Sequence, residues 1–231
     1  VKGVGFVKKD IGGLIGMSKE KLLKHVYTAQ RANHCQRNWD YAQKIPQDHI
    51  DSIVGAAVNM PTKQNTEDYR LFVSTNLEIN HEVYKVAAME DFDFPHRNLQ
   101  VYAPLLLLYL PVVHLNPKME IKIKKAGNEA GFKLYSRWGQ MTGISSGVAA
   151  YVANDLGYST GFCRCFLPDQ PRKYLENKLN IPFNLDFPTK VLALGIGKPL
   201  VGYNHNDVVY NDEFVDTLHL FEKKIEIIKY K

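Results

Sequence analysis

Apolar residues recur along the chain with two periods, and each period predicts a different element. Ile50, Ile53, Val54, Ala57 and Val58 follow the i, i+3, i+4, i+7, i+8 spacing of one helix face, and Pro61 ends the run. Leu22, Val26 and Ala29 share a face in a predicted helix over Lys19–Ala32, with Ser18 as its N-cap. Further helices are predicted over 80–89, 128–157 and 170–180; Pro171 is compatible with a first turn. In the helix over 128–157, Met141, Ile144, Val148, Val152 and Asp155–Leu156 trace the expected inner stripe. Gly143, Ser146, Gly147 and Ala150 form a face of small residues, suited to a tight helix or dimer contact or to a core crossing.

Strands are predicted where the period is two or the run is wholly apolar. Tyr69–Ser74 is one, and 102–110 is the strongest. A strand or extended loop is expected over 159–166, a buried strand over 191–196, and an alternating strand in the tail, 218–230. Helices and strands alternate without a regular βαβ order. This predicts an α+β fold with a mixed central sheet flanked by helices. Residues 1–17, rich in glycine, read as a loose N-terminal arm, and 18–231 as a single domain. No internal repeat or low-complexity tract interrupts it.

Composition narrows the class. The 231 residues are 45% hydrophobic and 23% charged, ordinary for a globular protein, which excludes a disordered chain, a collagen-like fibre and a coiled coil. The net charge is only +5. The densest basic run, 118–125, holds four lysines among apolar residues, too few for a nucleic-acid stripe. The apolar segment YAPLLLLYLPVV is shorter than the roughly 20 residues of a membrane span and contains Pro104 and Pro111, so no membrane partner is expected. The N-terminus lacks the long apolar stretch of a signal peptide. Cys35, Cys163 and Cys165, an odd count with a Cys-x-Cys pair, suggest reduced thiols in the cytoplasm.

Candidate chemistry is sparse. The chain contains no G-x-S-x-G, H-E-x-x-H, P-loop or G-x-G-x-x-G motif. Asp91 and Asp93 sit in a Phe-rich acidic loop with a structural character. Cys163 and Cys165 share a strand face but lack a third and fourth ligand, so no metal is expected. Three polar segments suit one site: Asn33 to Asp40, Met60 to Val73, and Leu156 to Phe166. Together they supply cations, hydroxyl and amide donors, and glycine backbone that a ligand can approach. That mixture fits a phosphate joined to a flat ring.

These segments resemble the motifs of the nitroreductase family of FMN enzymes. Arg37-Asn-Trp39 is similar to the end of the family's Arg-x-Ser-x-Arg motif, with Asn33 and Cys35 in place of the first Arg and the Ser. Pro61-Thr62 through Asn65 to Tyr69-Arg-Leu-Phe72 resembles Pro-Ser-x-x-Asn-x-Gln-Pro-Trp-x-Phe, with Glu67-Asp68-Tyr69 replacing Gln-Pro-Trp. Gln100-Val-Tyr-Ala-Pro104 is similar to the family's Gln-x-x-Ala-Pro, Gly139 to Gly157 to its long central helix, and Leu192 to Pro199 to its Leu-Gly-Tyr-Pro strand end. The family's C-terminal Lys-x-Arg phosphate pair has no clear counterpart; His205 and Lys198 are the nearest cations.

The resemblance implies a three-layer α-β-α fold and a homodimer with FMN at its interface. It implies NADH or NADPH as electron donor and reduction of nitroaromatics, quinones or similar small molecules in a ping-pong cycle. Arg37 is then expected at the flavin's pyrimidine edge, with Asn33, Cys35 and neighbouring His34 by the ribityl phosphate. Pro61, Thr62, Lys63 and Asn65 are expected to reach the partner subunit's flavin, and Asn98 the ring edge. The backbone of Cys163, Arg164 and Cys165 is expected along the ring, with His205 on the phosphate side and the C-terminal tail reaching the partner subunit. Other flavin reactions on the same fold, deiodinase-like or flavin-fragmenting, and a non-enzymatic flavin-binding dimer are the alternatives.

Overall fold

The computed structural model describes residues 19–32, 35–62, 69–87, 98–111, 128–164, 166, 177 and 191–200. Four helices are described: α1 (Lys19–Ala32), α2 (Gln47–Val58), α3 (Leu77–Val86) and α4 (Asn128–Asp155). Four strands form one sheet: β1 (Tyr69–Ser74), β2 (Leu105–Pro111), β3 (Ser159–Cys163) and β4 (Leu192–Gly197). The order is β1-β2-β4-β3. All three pairings are antiparallel, so the α+β class holds but no parallel pair occurs among the described strands.

The sheet is the middle of three layers. Side chains alternate across a strand, and register carries the alternation from strand to strand. Leu107 pairs with Leu194, and Leu194 with Phe162. That face packs on Ile50, Ile53 and Ala57 of α2 and on Ala149 and Ala153 of α4. The opposite face carries Leu106, Leu108, Leu110, Ala193 and Cys163, and packs on Val83 of α3 and on Val101. The two central strands, β2 and β4, are therefore buried on both faces, which is why LLLLYL and LALGIG contain no charge. Leucine's preference for helix is overridden by that double burial.

Several boundaries move for local reasons. The helix expected over 80–89 begins earlier, because Asn76 caps it: its Oδ1 accepts from the N–H groups of Glu78 and Ile79 at 2.9 and 3.3 Å. The strand expected from residue 102 begins at Leu105, after a single 3₁₀ turn at Leu99–Val101. The strand expected over 159–166 ends at Cys163, and the one expected over 191–196 runs one residue later. The arm 1–17, the acidic loop at Asp91 and Asp93, the basic run 118–125 and the tail 218–230 lie outside the described residues. Of the helix expected over 170–180, only Asn177 is described, in helical conformation.

The expected stripe of α4 is corrected. Trp138, Thr142, Ser145, Ala149 and Ala153 are buried, whereas Ile144 is 44% exposed and Met141, Val148 and Val152 are half-buried. Small residues face inward because α2 approaches closely. Ser145 Oγ donates to the Ala57 carbonyl at 2.6 Å, and the Tyr69 hydroxyl lies 2.8 Å from Ser145 Oγ and 2.9 Å from the same carbonyl. Of the small-residue face, Ser146 and Ala150 are buried, while Gly143 and Gly147 are exposed. In α1, Val26 is 43% exposed and Ala29 is exposed, so these two positions of the expected apolar face do not bury. Polar pairs join α1 to α4 instead: Lys24 with Asp155 at 3.0 Å, His25 with the Tyr151 hydroxyl, and Arg31 Nη2 with the Asn154 carbonyl at 3.2 Å.

Two glycines allow chain segments to lie directly on the sheet. A Cβ at Gly195 would stand 1.9 Å from the Gln100 carbonyl oxygen, and one at Gly161 would stand 2.4 Å from the Gln36 carbonyl oxygen and 2.6 Å from Gln100 Cβ. Gly195→Ala is expected to cost about 1–3 kcal/mol or more by overpacking. Gly147→Ala, with nothing within 4 Å, is expected to gain up to ~1 kcal/mol from helix propensity. Urea unfolding of both variants checks the contrast; a Gly195→Ala protein as stable as the parent would contradict the close approach.

Candidate functional site

Residues 35–40 have no hydrophobic period of their own, so their backbone groups must pair elsewhere. They do so along β3, the edge strand. The Gln36 N–H donates to the Thr160 carbonyl at 2.8 Å, and Cys35 Sγ lies 3.5 Å from the Phe162 carbonyl. The segment then crosses to the end of β4, where the Asp40 N–H donates to the Lys198 carbonyl at 2.9 Å and the Leu200 N–H to the Asn38 carbonyl at 3.0 Å. Trp39 anchors it: the ring is buried and Nε1 donates to the Leu99 carbonyl at 3.0 Å.

The Leu99–Val101 turn reaches the same edge. Asn98 is held from two sides. Its Nδ2 donates to the Ala87 carbonyl at 3.1 Å, and its Oδ1 accepts from Gln100 Nε2 at 3.1 Å. Gln100 Nε2 also donates to the Phe162 carbonyl at 3.3 Å. Gln100 is 4% exposed, and its Oε1 is buried with no hydrogen-bond partner among the described residues. Such an orphan acceptor costs about 1–3 kcal/mol.

Arg37 stands next to this cluster. Its backbone N–H donates to Gln36 Oε1 at 3.0 Å and its Nη1 to the Cys35 carbonyl at 3.3 Å. It is half-buried and forms no ion pair among the described residues. A guanidinium has five N–H donors; most of Arg37's have no protein partner among the described residues.

The structure thus brings Cys35, Arg37, Asn98 and the Phe162–Cys163 backbone to one edge. The Cys163 side chain is turned into the core, and Arg164 is exposed, with Cζ 5.6 Å from the centre of the Trp138 ring. Pro61 and Thr62 follow α2, and no hydrogen bond among the described residues joins them to the cluster. Asn33, His34, Lys63, Asn65, Cys165 and His205 lie outside the described residues. Gln36 and Gln100 also lie in this cluster; the motif resemblance includes Gln100 at the head of Gln-x-x-Ala-Pro but gives it no site role, and Gln36 carried no motif signal. No group of His, Cys, Asp or Glu suited to a metal occurs among the described residues. No helix among them is long and apolar enough to cross a membrane.

Comparison with solved structures decides the fold. NfrA2 of B. megaterium superposes with a TM-score of 0.57 at 17% identity, over 79% of this chain and 68% of that one. A nitroreductase of Bacteroides fragilis NCTC 9343 with bound FMN gives 0.55 at 18% identity, over 89% and 98%. A nitroreductase family protein of Clostridium novyi NT gives 0.52 at 18%, over 78% and 89%. The chain has the nitroreductase fold. No family model and no curated protein matches the sequence. At this identity the nitroreductase fold is shared while most side chains differ, so any ligand must be argued from this chain's own residues.

Lys198 is engaged away from this cluster. Its Nζ sits 4.7 Å from the centre of the Tyr158 ring and donates to the Gly157 carbonyl, while the Tyr158 hydroxyl lies 2.7 Å from His49 Nδ1. Burial pushes the Tyr158 phenol above its ordinary value, and the Asp48 carboxylate adds to the shift. A phenol whose folded pKa exceeds the unfolded value of about 10 contributes stability that is complete below that pH and lost as pH rises beyond it. The parent is therefore expected to lose stability more steeply than Tyr158→Phe above about pH 10. Urea midpoints measured against pH check this; parallel profiles would contradict it.

Proposed function

We propose that the protein is an FMN-dependent oxidoreductase. It takes electrons from NADH or NADPH and passes them to a nitroaromatic, a quinone or a similar small acceptor in a ping-pong cycle, as a homodimer in the cytoplasm. The observation that carries this reading is Arg37. A half-buried cation with no carboxylate partner among the described residues, set at a sheet edge of the nitroreductase fold, suits an electron-rich or anionic group on a ligand. FMN-bound proteins of this fold support the choice of ligand. The edge also offers what a flat ring needs: a fixed amide at Asn98 and strand backbone at Phe162–Cys163.

Bound FMN supplies the hydride chemistry. The chain's own residues bind, orient and tune. With FMN bound, Arg37 would place positive charge where negative charge develops on reduction, an arrangement worth most in a water-poor site. Asn98, tied at both ends of its amide, presents one fixed orientation rather than a rotating side chain. The 35–40 segment, sewn to β3 and β4, holds Arg37 without cost in loop entropy when a ligand arrives.

Purified protein mixed with FMN is expected to turn yellow and keep flavin absorbance after gel filtration; a colourless protein would reject the reading. Arg37→Ala is expected to weaken FMN binding roughly ten- to a hundredfold, the worth of a hydrogen bond to a charged group. It should also make the flavin midpoint potential more negative; an unchanged potential removes Arg37 from the tuning role. The homodimer has its own test. Gly143, Ile144 and Gly147 present an exposed patch on α4, and Cβ atoms at the two glycines would meet nothing within 4 Å. Gly147→Leu is expected to lower the dimer fraction in sedimentation, and an unchanged fraction excludes this patch as the contact.

A further inference from the structure

Gln100 receives more structural accommodation than any other polar residue of the site. Gly195 leaves room for its carbonyl oxygen, and Gly161 leaves room for its Cβ. Its side chain is buried, yet only the donor end of the amide is used. Nε2 reaches two targets, Asn98 Oδ1 at 3.1 Å and the Phe162 carbonyl at 3.3 Å, while Oε1 has no partner. An apolar side chain of similar volume would fill the same space without an orphaned acceptor. A buried polar atom left unpaired calls for a reason beyond packing, and here the reason lies in what the N–H groups hold. The Phe162 carbonyl lies two residues beyond that of Thr160, which accepts from Gln36, so it too faces away from β4, toward the 35–40 segment that carries Arg37. Asn98 lies on the other side of the same amide.

We propose that Gln100 is the positioning residue of the site: its amide N–H groups lock the Asn98 side chain and the Phe162 carbonyl into one arrangement for the ligand. The proposal rests on the flavin reading for the identity of the ligand but not for the lock itself. Gln100 touches no ligand, because its acceptor is closed to solvent. It acts through its two targets.

Gln100→Met removes the donors and the orphan together. FMN affinity is expected to fall about tenfold, the scale of one lost orienting hydrogen bond, while the melting temperature of the flavin-free protein stays near that of the parent, since the orphaned Oε1 is removed as Asn98 Oδ1 loses its donor. On an Asn98→Ala background the same substitution should cost less than it does alone, because the two residues act in series. An affinity within twofold of the parent, or losses that simply add, overturns the proposal. If Gln100→Met does not fold, Gln100→Leu also lacks the donors, and the same tenfold loss is required of it. If the parent itself takes up no FMN, the flavin reading fails separately. The lock is then read from amide hydrogen exchange over residues 159–163 in the flavin-free protein. Exchange about tenfold faster in the Gln100 variant upholds it, and unchanged exchange overturns it.

Discussion

The missing side chains at Gly161 and Gly195 set how closely the rest of the molecule can approach the sheet. One methyl at either position would collide with backbone or with Cβ, groups that cannot swing aside. With hydrogens there, the 35–40 segment lies against β3 and the Leu99–Val101 turn lies across β4. Trp39 then finds the Leu99 carbonyl, Gln100 finds Phe162, and Arg37 is carried to the edge. The site depends on steric room first and on charge second.

A related economy shapes the helical layer on the other face. The inner surface of α4 is small and polar, and its larger aliphatic residues sit further out. The closeness of α2 makes this stable. Ser145, Tyr69 and the Ala57 carbonyl satisfy one another within 3 Å, and Asn154 bonds to the Ala150 carbonyl and to Thr160 Oγ1. Buried polar groups that are fully paired position elements more sharply than aliphatic contact does. A hydrophobicity pattern ranks Ile144 above Ser145 and so selects the wrong face. Contact distance, which the pattern does not contain, reverses the ranking.

The likeness to nitroreductases lies in backbone arrangement at 17–18% identity. Such a likeness shows the fold and leaves the ligand to be argued from this chain's own residues. In this chain the described side chains at the edge are an arginine with no ion-pair partner among the described residues, two glutamines and an asparagine. Asn33 and Cys35 stand where the family motif has Arg and Ser. Among the described residues, that edge therefore presents amides and one cation.

The elements themselves were legible in the sequence because their causes are local. Tyr69–Ser74 and Lys19–Ala32 are found where the pattern places them, and Ile50, Ile53 and Ala57 bury the face their spacing defines. The charge-free runs at 105–110 and 192–197 could only be central strands. Arg37 and Asn98 were singled out by the family resemblance, and the fold places them near one another. The contacts of Gln100 were not legible, because its partner Phe162 is 62 residues away along the chain and no period links them. Antiparallel register, the inward face of α4 and the meeting of residues 36, 98–100 and 161 at one edge were decided only by tertiary structure. Each depends on how near two distant segments can come, and that distance is a property of the packed molecule, not of any stretch of its sequence.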